Sequence, residues 1–229
     1  MIFDWGGVFS LKPPGASRRS LEKSLGLEPN TLGGFFREDG WLQVSTGRQT
    51  EAEFWDAVCA GFPSPPEPDL AGRLWNHLFL HGLVRSSVIE MASALRTTAT
   101  VSLLSNAAPS LRQVIAPVLG LFDDIVISAE VGLRKPEPEI FQLALERLGA
   151  RPEEVLFIDD FRHNIAAAAE LGIRGHRFLT PARLRLALER HGLPTAAKMS
   201  ALTEKAPVLD PVLTAARESA HQVTGRART

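Results

Sequence analysis

The chain has 229 residues, 45% of them hydrophobic and 22% charged, with a formal net charge of -1. This is the composition of a well-packed globular protein, long enough for one domain with a sizeable insertion or for two small domains, and its near-neutral charge gives no general attraction to nucleic acid or to an anionic membrane. No run reaches the roughly 18 apolar residues of a membrane span and no leader pattern opens the chain, so the expected partners are small molecules or proteins and the expected location is cytoplasmic.

The first apolar run, Met1 to Phe3, reads as a short buried strand that delivers Asp4 into the glycine-rich turn Gly6-Gly7. A carboxylate in that position is either a nucleophile or the cap of its own turn. Only three residues precede it. From about Ser17 to His81 the pattern is helical with no convincing strand, which predicts an inserted helical cap. Thr50-Glu51-Ala52-Glu53 is a capping box at a helix start, followed by an apolar face of Phe54 and Val58 with Trp55 beside it. Cys59, the only cysteine, has Val58 and Ala60 as neighbours and reads as a small buried hydrophobe rather than a reactive thiol; no intrachain disulfide can form. Phe62 to Pro68 is a proline-rich break. His77 and His81 stand four apart, a spacing that suits two metal ligands on one helix face, but no acid joins them and a surface or core-edge role is expected.

Ser87 to Leu95 is an amphipathic helix, and Ala99 to Leu104 a buried strand that ends in Ser105-Asn106. That hydroxyl and amide either cap the next helix or hold anionic oxygens, and a helix start can do both. Pro109 to Leu119 is helical in pattern, with Pro117 expected to kink or end it. Asp123 to Ile127 is a strand. Gly132 to Pro138 places Arg134 and Lys135 just ahead of the helix Pro136 to Leu148, so Lys135 is either a counter-charge for the site or a solvated surface lysine. Val155 to Ile158 is a third buried strand, ending in Asp159-Asp160. Adjacent carboxylates there need a cation or strong donors, and hard oxygen ligands suit Mg²⁺; the alternative is an acidic helix start. Asn164 stands four residues past Asp160, where it can orient a ligand or a metal-bound water. Gly175 to Phe178 is a short final strand. After about Pro194 the alternation fades into a tail with one amphipathic stretch, Pro211 to Ala220, to which no role is assigned.

Strands alternating with helices predict an α/β fold, a doubly wound parallel sheet of Rossmann type with the helical cap inserted. The domains expected are a core of residues 1–16 and 82–194, a cap of residues 17–81 and a tail of residues 195–229. In such a sheet ligands bind outside the carboxyl ends of the strands, where Asp4, Ser105-Asn106 and Asp159-Asp160 all fall.

These elements, in this order, resemble the haloacid dehalogenase superfamily over about Met1 to Leu179, and the Arg134-Lys135-Pro136-Glu137-Pro138 and Phe157-Ile158-Asp159-Asp160 runs are most similar to its phosphatase branch with a small helical cap. That branch includes sugar-phosphate phosphatases and the N-terminal phosphatase domain of soluble epoxide hydrolases. The resemblance implies a Mg²⁺-dependent phosphomonoester hydrolase acting on a small phosphorylated metabolite. By it, Asp4 is the nucleophile that becomes an aspartyl phosphate, Ser105 and Asn106 are phosphate ligands, and Lys135 is the charge-stabilising lysine that also contacts the substrate. Mg²⁺ would bridge Asp4, the backbone carbonyl of Gly6, Asp160 and the phosphate, with Asp159 and Asn164 in support. The cap would close over the site, exclude water and choose the substrate.

Gly6 departs from the pattern. Phosphatases of this kind commonly carry an aspartate there to protonate the leaving oxygen and then activate water. Its absence is compatible with a substitute group or water, with a good leaving group, or with a protein that binds or regulates without turnover. A metal-independent 2-haloacid dehalogenase, in which the aspartate attacks carbon, would need no acid at position 6.

Overall fold

The computed structural model describes residues 1–11, 19–20, 22–23, 25–35, 39–60, 62 and 84–195. His77, His81, nearly all of the proline-rich run and the tail from residue 196, with Pro211 to Ala220, lie outside the described residues. Among the described residues no helix is long and apolar enough to cross a membrane.

Five short strands form the core: β1 (Ile2–Phe3), β2 (Ser102–Ser105), β3 (Asp124–Ile127), β4 (Leu156–Asp159) and β5 (Arg174–Arg177). They run parallel in the order β3-β2-β1-β4-β5. Successive residues of β1 to β4 feed opposite faces of the sheet. Phe3, Leu103, Ile127 and Ile158 belong to one buried cluster, and Ile2, Leu104, Val126 and Phe157 to the other. Burial on both faces explains why these strands read as continuous apolar runs rather than as alternating ones. β5 closes one edge with exposed Arg174 and Arg177, charges that discourage a further strand from pairing there.

Helices cover both faces. The first cluster is completed by α4 (Ser86–Leu95), by α5 (Leu111–Val114) with the 3-10 turn Ala116–Leu121, and by α9 (Pro181–Arg190). The second is completed by α7 (Pro138–Leu148) and α8 (Arg162–Glu170), with a 3-10 turn at Pro152–Glu154 before β4. Pro117 interrupts its helix as expected, leaving one α turn and then 3-10 geometry. Two helices are absent from the sequence reading: α6 (Ser128–Val131), a single turn, and α9, whose start is nonetheless marked by Thr180 capping the Arg183 N–H at 3.2 Å and by Pro181 in the first turn.

Between β1 and α4 the chain builds α1 (Thr31–Phe35), α2 (Asp39–Ser45) and α3 (Glu51–Ala60). Leu32, Val44, Phe54, Trp55 and Val58 form a separate small core that reaches the sheet domain through Ala108. The capping box is formed: Thr50 Oγ1 accepts from the Glu53 N–H at 3.2 Å, and the Thr50 N–H donates to Glu53 Oε2 at 2.9 Å. Cys59 is half-buried against this core, and burial, with Asp56 nearby, pushes its thiol pKa up, away from nucleophilic chemistry.

Candidate active site

β1 is only two residues long, yet it is the central strand, and its register sets the site. Phe3 lies opposite Leu103 of β2 and Ile158 of β4. The next level up therefore holds Asp4, Leu104 and Asp159. Lys135 bonds that level across all three strands: its Nζ donates to Asp4 Oδ1 at 2.8 Å, to the Leu104 carbonyl at 2.8 Å and to Asp159 Oδ2 at 2.7 Å. An ammonium has three N–H donors, and here each has an oxygen. Lys135 is 1% exposed, so the surface alternative is overturned.

The lysine is held from behind. The Asn106 side chain takes its backbone on both sides, Nδ2 donating to the Lys135 carbonyl at 2.7 Å and Oδ1 accepting from the Lys135 N–H at 2.8 Å. Nδ2 carries a second hydrogen, so the amide can serve the lysine loop and an anionic oxygen together. Ser105, buried at the end of β2, stands one register step beyond the level of Asp4.

Asp159 and Asp160 have different tasks despite being neighbours. Asp159 is fully buried, and both of its oxygens are committed: Oδ2 to Lys135 and to Asn164 Nδ2 at 3.0 Å, Oδ1 to the Phe161 N–H at 2.7 Å. Asn164, which the sequence reading places in support of the site, reaches Asp159 across the start of α8. Asp160 lies against the turn after Asp4. A Cβ at Gly7 would fall 2.4 Å from Asp160 Oδ2, and Gly7 has φ +82°, so only glycine admits this approach. At Gly6 the situation is the reverse: a Cβ would meet nothing nearer than Asp4 Oδ2 at 3.9 Å.

Asp4, Asp159 and Asp160 each present an oxygen within 4.8 Å of the others. Among the described residues these three carboxylates gather around one ammonium, Lys135, which pairs with Asp4 and Asp159. Burial is the main force pushing the Asp4 pKa up to about 6; Lys135 opposes it, and Asp159 and Asp160 add to it. Burial alone would lower Lys135, but Asp4 and Asp159 outweigh it and hold the ammonium above its ordinary value. An excess of hard oxygen donors, with an approach opened by Gly7, fits a small dication such as Mg²⁺. Asp160, which faces the Gly7 turn, and Asp4 are the side chains suited to it, while Asp159 has both oxygens bonded to Lys135, Asn164 and the Phe161 N–H.

Two further residues tie the helices before α4 to this site. Buried Ser128, first residue of α6, donates to the Ser45 carbonyl at 2.5 Å and accepts from the Ala107 N–H at 2.9 Å, next to Asn106. Glu51, at the start of α3, accepts from both the hydroxyl and the N–H of Ser110 at 2.6 and 3.1 Å. Sequence reasoning missed both. Ser128 carried the available signal, a polar residue directly after a buried strand.

The model of haloacid dehalogenase-like hydrolases matches residues 43–172, and the chain belongs to that family. A family enzyme from Bacteroides thetaiotaomicron, solved in complex with magnesium and inorganic phosphate, superposes with a TM-score of 0.67 at 26% identity, over 77% of this chain and 91% of that one. Bifunctional epoxide hydrolase 2 of Rattus norvegicus is 27% identical over 191 residues, 75% of this chain and 34% of the relative. The chain thus spans about a third of the length of that relative. A phosphoserine phosphatase of Thermus thermophilus is 34% identical over 88 residues, 37% of this chain and 35% of the relative. The (S)-2-haloacid dehalogenase of Xanthobacter autotrophicus is 30% identical over 148 residues, 59% of this chain and 56% of the relative.

Proposed function

We propose that this chain is a Mg²⁺-dependent phosphomonoester hydrolase that cleaves a small phosphorylated metabolite through an aspartyl phosphate on Asp4. The observation that carries the reading is the Lys135 ammonium bonded to Asp4 Oδ1 and Asp159 Oδ2 with Asp160 close by, a charge arrangement built for an anion in transfer. Likeness to a magnesium and phosphate complex and to a phosphoserine phosphatase supports it.

Asp4 is the nucleophile. Lys135 keeps it oriented and offsets the charge that gathers on the transferring phosphoryl group. Ser105 Oγ and the second Asn106 N–H receive phosphoryl oxygens at the end of β2. Asp4, Asp160 and the Gly6 carbonyl are the donors that would hold Mg²⁺, which when bound supplies the positive charge this cluster lacks. The helices before α4 cover the site and select the substrate.

The test is a panel of phosphorylated metabolites with and without Mg²⁺, run beside Asp4→Asn. Hydrolysis that needs both Mg²⁺ and Asp4 is expected; a folded protein inert across the panel would remove the reading, and retained phosphate binding without turnover would indicate a binding protein. A second reading, carbon-halogen hydrolysis, is favoured by Gly6 and by the dehalogenase relative. Single turnover in ¹⁸O-water separates the two, since water attacks phosphorus in one and the Asp4 carboxyl carbon in the other. Label is expected in phosphate; label in Asp4 would support the dehalogenase.

A further inference from the structure

Resting on the phosphatase reading above, we propose that the substrates are phosphoryl donors whose leaving group departs without a proton, namely acyl phosphates and phosphate esters of acidic hydroxyls, and that the phosphoenzyme accumulates between its formation and its hydrolysis.

The ground for this is the place beside the nucleophile. A side chain at position 6 would have its Cβ 3.9 Å from Asp4 Oδ2 with nothing nearer, so the backbone aims this position at the reacting oxygen, and glycine leaves it without a proton donor. Among the described residues, the groups gathered nearby do not fill the role. Asp159 has both oxygens engaged by Lys135, Asn164 and the Phe161 N–H. Lys135 has its three N–H donors directed at Asp4, the Leu104 carbonyl and Asp159, so none points toward a leaving oxygen. Asp160 lies over the Gly7 turn, where it belongs to the cation site.

In the first step a carboxylate oxygen of Asp4 bonds to phosphorus as the bond from phosphorus to the leaving oxygen breaks. The leaving oxygen keeps the electron pair and departs as an anion. A carboxylate, whose acid has a pKa of about 4, or a phenolate, at about 10, leaves readily on those terms; an alkoxide is far more basic and does not. In the second step water attacks the same phosphorus, the bond to Asp4 breaks with its electron pair returning to the carboxylate, and the surplus proton of the water passes to the departing phosphate or to solvent. With no base at position 6 to take that proton early, this step is the slow one.

The experiment uses the wild-type chain with Mg²⁺ and a graded series: acetyl phosphate, aryl phosphates of decreasing phenol acidity, and glycerol 3-phosphate. The expected result is a fall in kcat/KM of roughly 10²–10⁴-fold from the most to the least acidic leaving group, the range that general acid catalysis would otherwise supply. The activated donors should share one kcat and show a burst of leaving group approaching one per enzyme. In Gly6→Asp the ratio of kcat/KM between acetyl phosphate and glycerol 3-phosphate should shrink by a similar factor. A flat series without a burst would overturn the proposal and leave the phosphatase reading standing, because it would show an acid supplied from elsewhere. Failure of every donor, acetyl phosphate included, would overturn both.

Discussion

Lys135 spends its three N–H groups on three oxygens at one level of the sheet, and so turns a set of strand ends into a site. In the sequence it could as well have been a solvated lysine, because a basic pair before a helix carries no mark of burial. What decides is the loop it sits on, clamped by Asn106 from the neighbouring strand end, and that contact spans 29 residues of chain. Asp4, Ser105 and Asp159 were legible because each follows a buried apolar run; the division of labour between Asp159 and Asp160 came only through the family resemblance, because it depends on which carboxylate turns inward. Gly7 supplies a direct check. In Gly7→Ala the new Cβ would occupy the place of Asp160 Oδ2 and the left-handed backbone would cost about 1–2 kcal/mol. Calorimetric titration should then show Mg²⁺ affinity lost in a protein that still folds; unaltered affinity would separate Asp160 from the cation site.

Among the elements, β1 does the most with the least. Two residues suffice because neighbours on both sides pair with it and bury it completely. The helices before α4 were legible as a helical insertion from the missing strands and the Thr50 capping box. Their attachment was not, since a serine at a strand end does not announce a partner 83 residues away. Ser128 joins α2 to the loop after β2 within a buried seam. Ser128→Ala would leave the Ala107 N–H and the Ser45 carbonyl short of a partner, and a buried polar group in that state costs about 1–3 kcal/mol. Urea unfolding should show a loss of that size. A change under about 0.5 kcal/mol, the range of an ordinary surface substitution, would mean that the seam is open in solution.

At the scale of the whole molecule, the strand order places β1 beside β4, where the winding of the sheet changes direction and ligands bind in folds of this kind. The carboxylates therefore collect in one place, at a cost that the cation would offset. Asp4 has a pKa of about 6 in the folded chain against 3.8 for the ordinary group. The folded state thus binds more protons than the unfolded one between these values, and stability from this group is present below about 3.8 and lost as pH rises through about 6. Without metal, Asp4→Asn should be more stable than wild type at pH 7.5, with the gap closing toward pH 4.5. Mg²⁺ should raise the wild-type Tm at pH 7.5, do so less below pH 6 where protons compete for Asp4, and leave Asp4→Asn nearly unmoved. A Mg²⁺ effect equal in both proteins at both pH values would place the cation elsewhere.

The most direct measurement is acid quenching of the Mg²⁺-loaded enzyme during turnover of acetyl phosphate, followed by mass spectrometry of the N-terminal peptide. A phosphoryl group on Asp4, missing from Asp4→Asn and discharged when the intact enzyme is left in water, is the predicted result. Hydrolysis that proceeds with no phosphorylated Asp4 at any time would contradict the account.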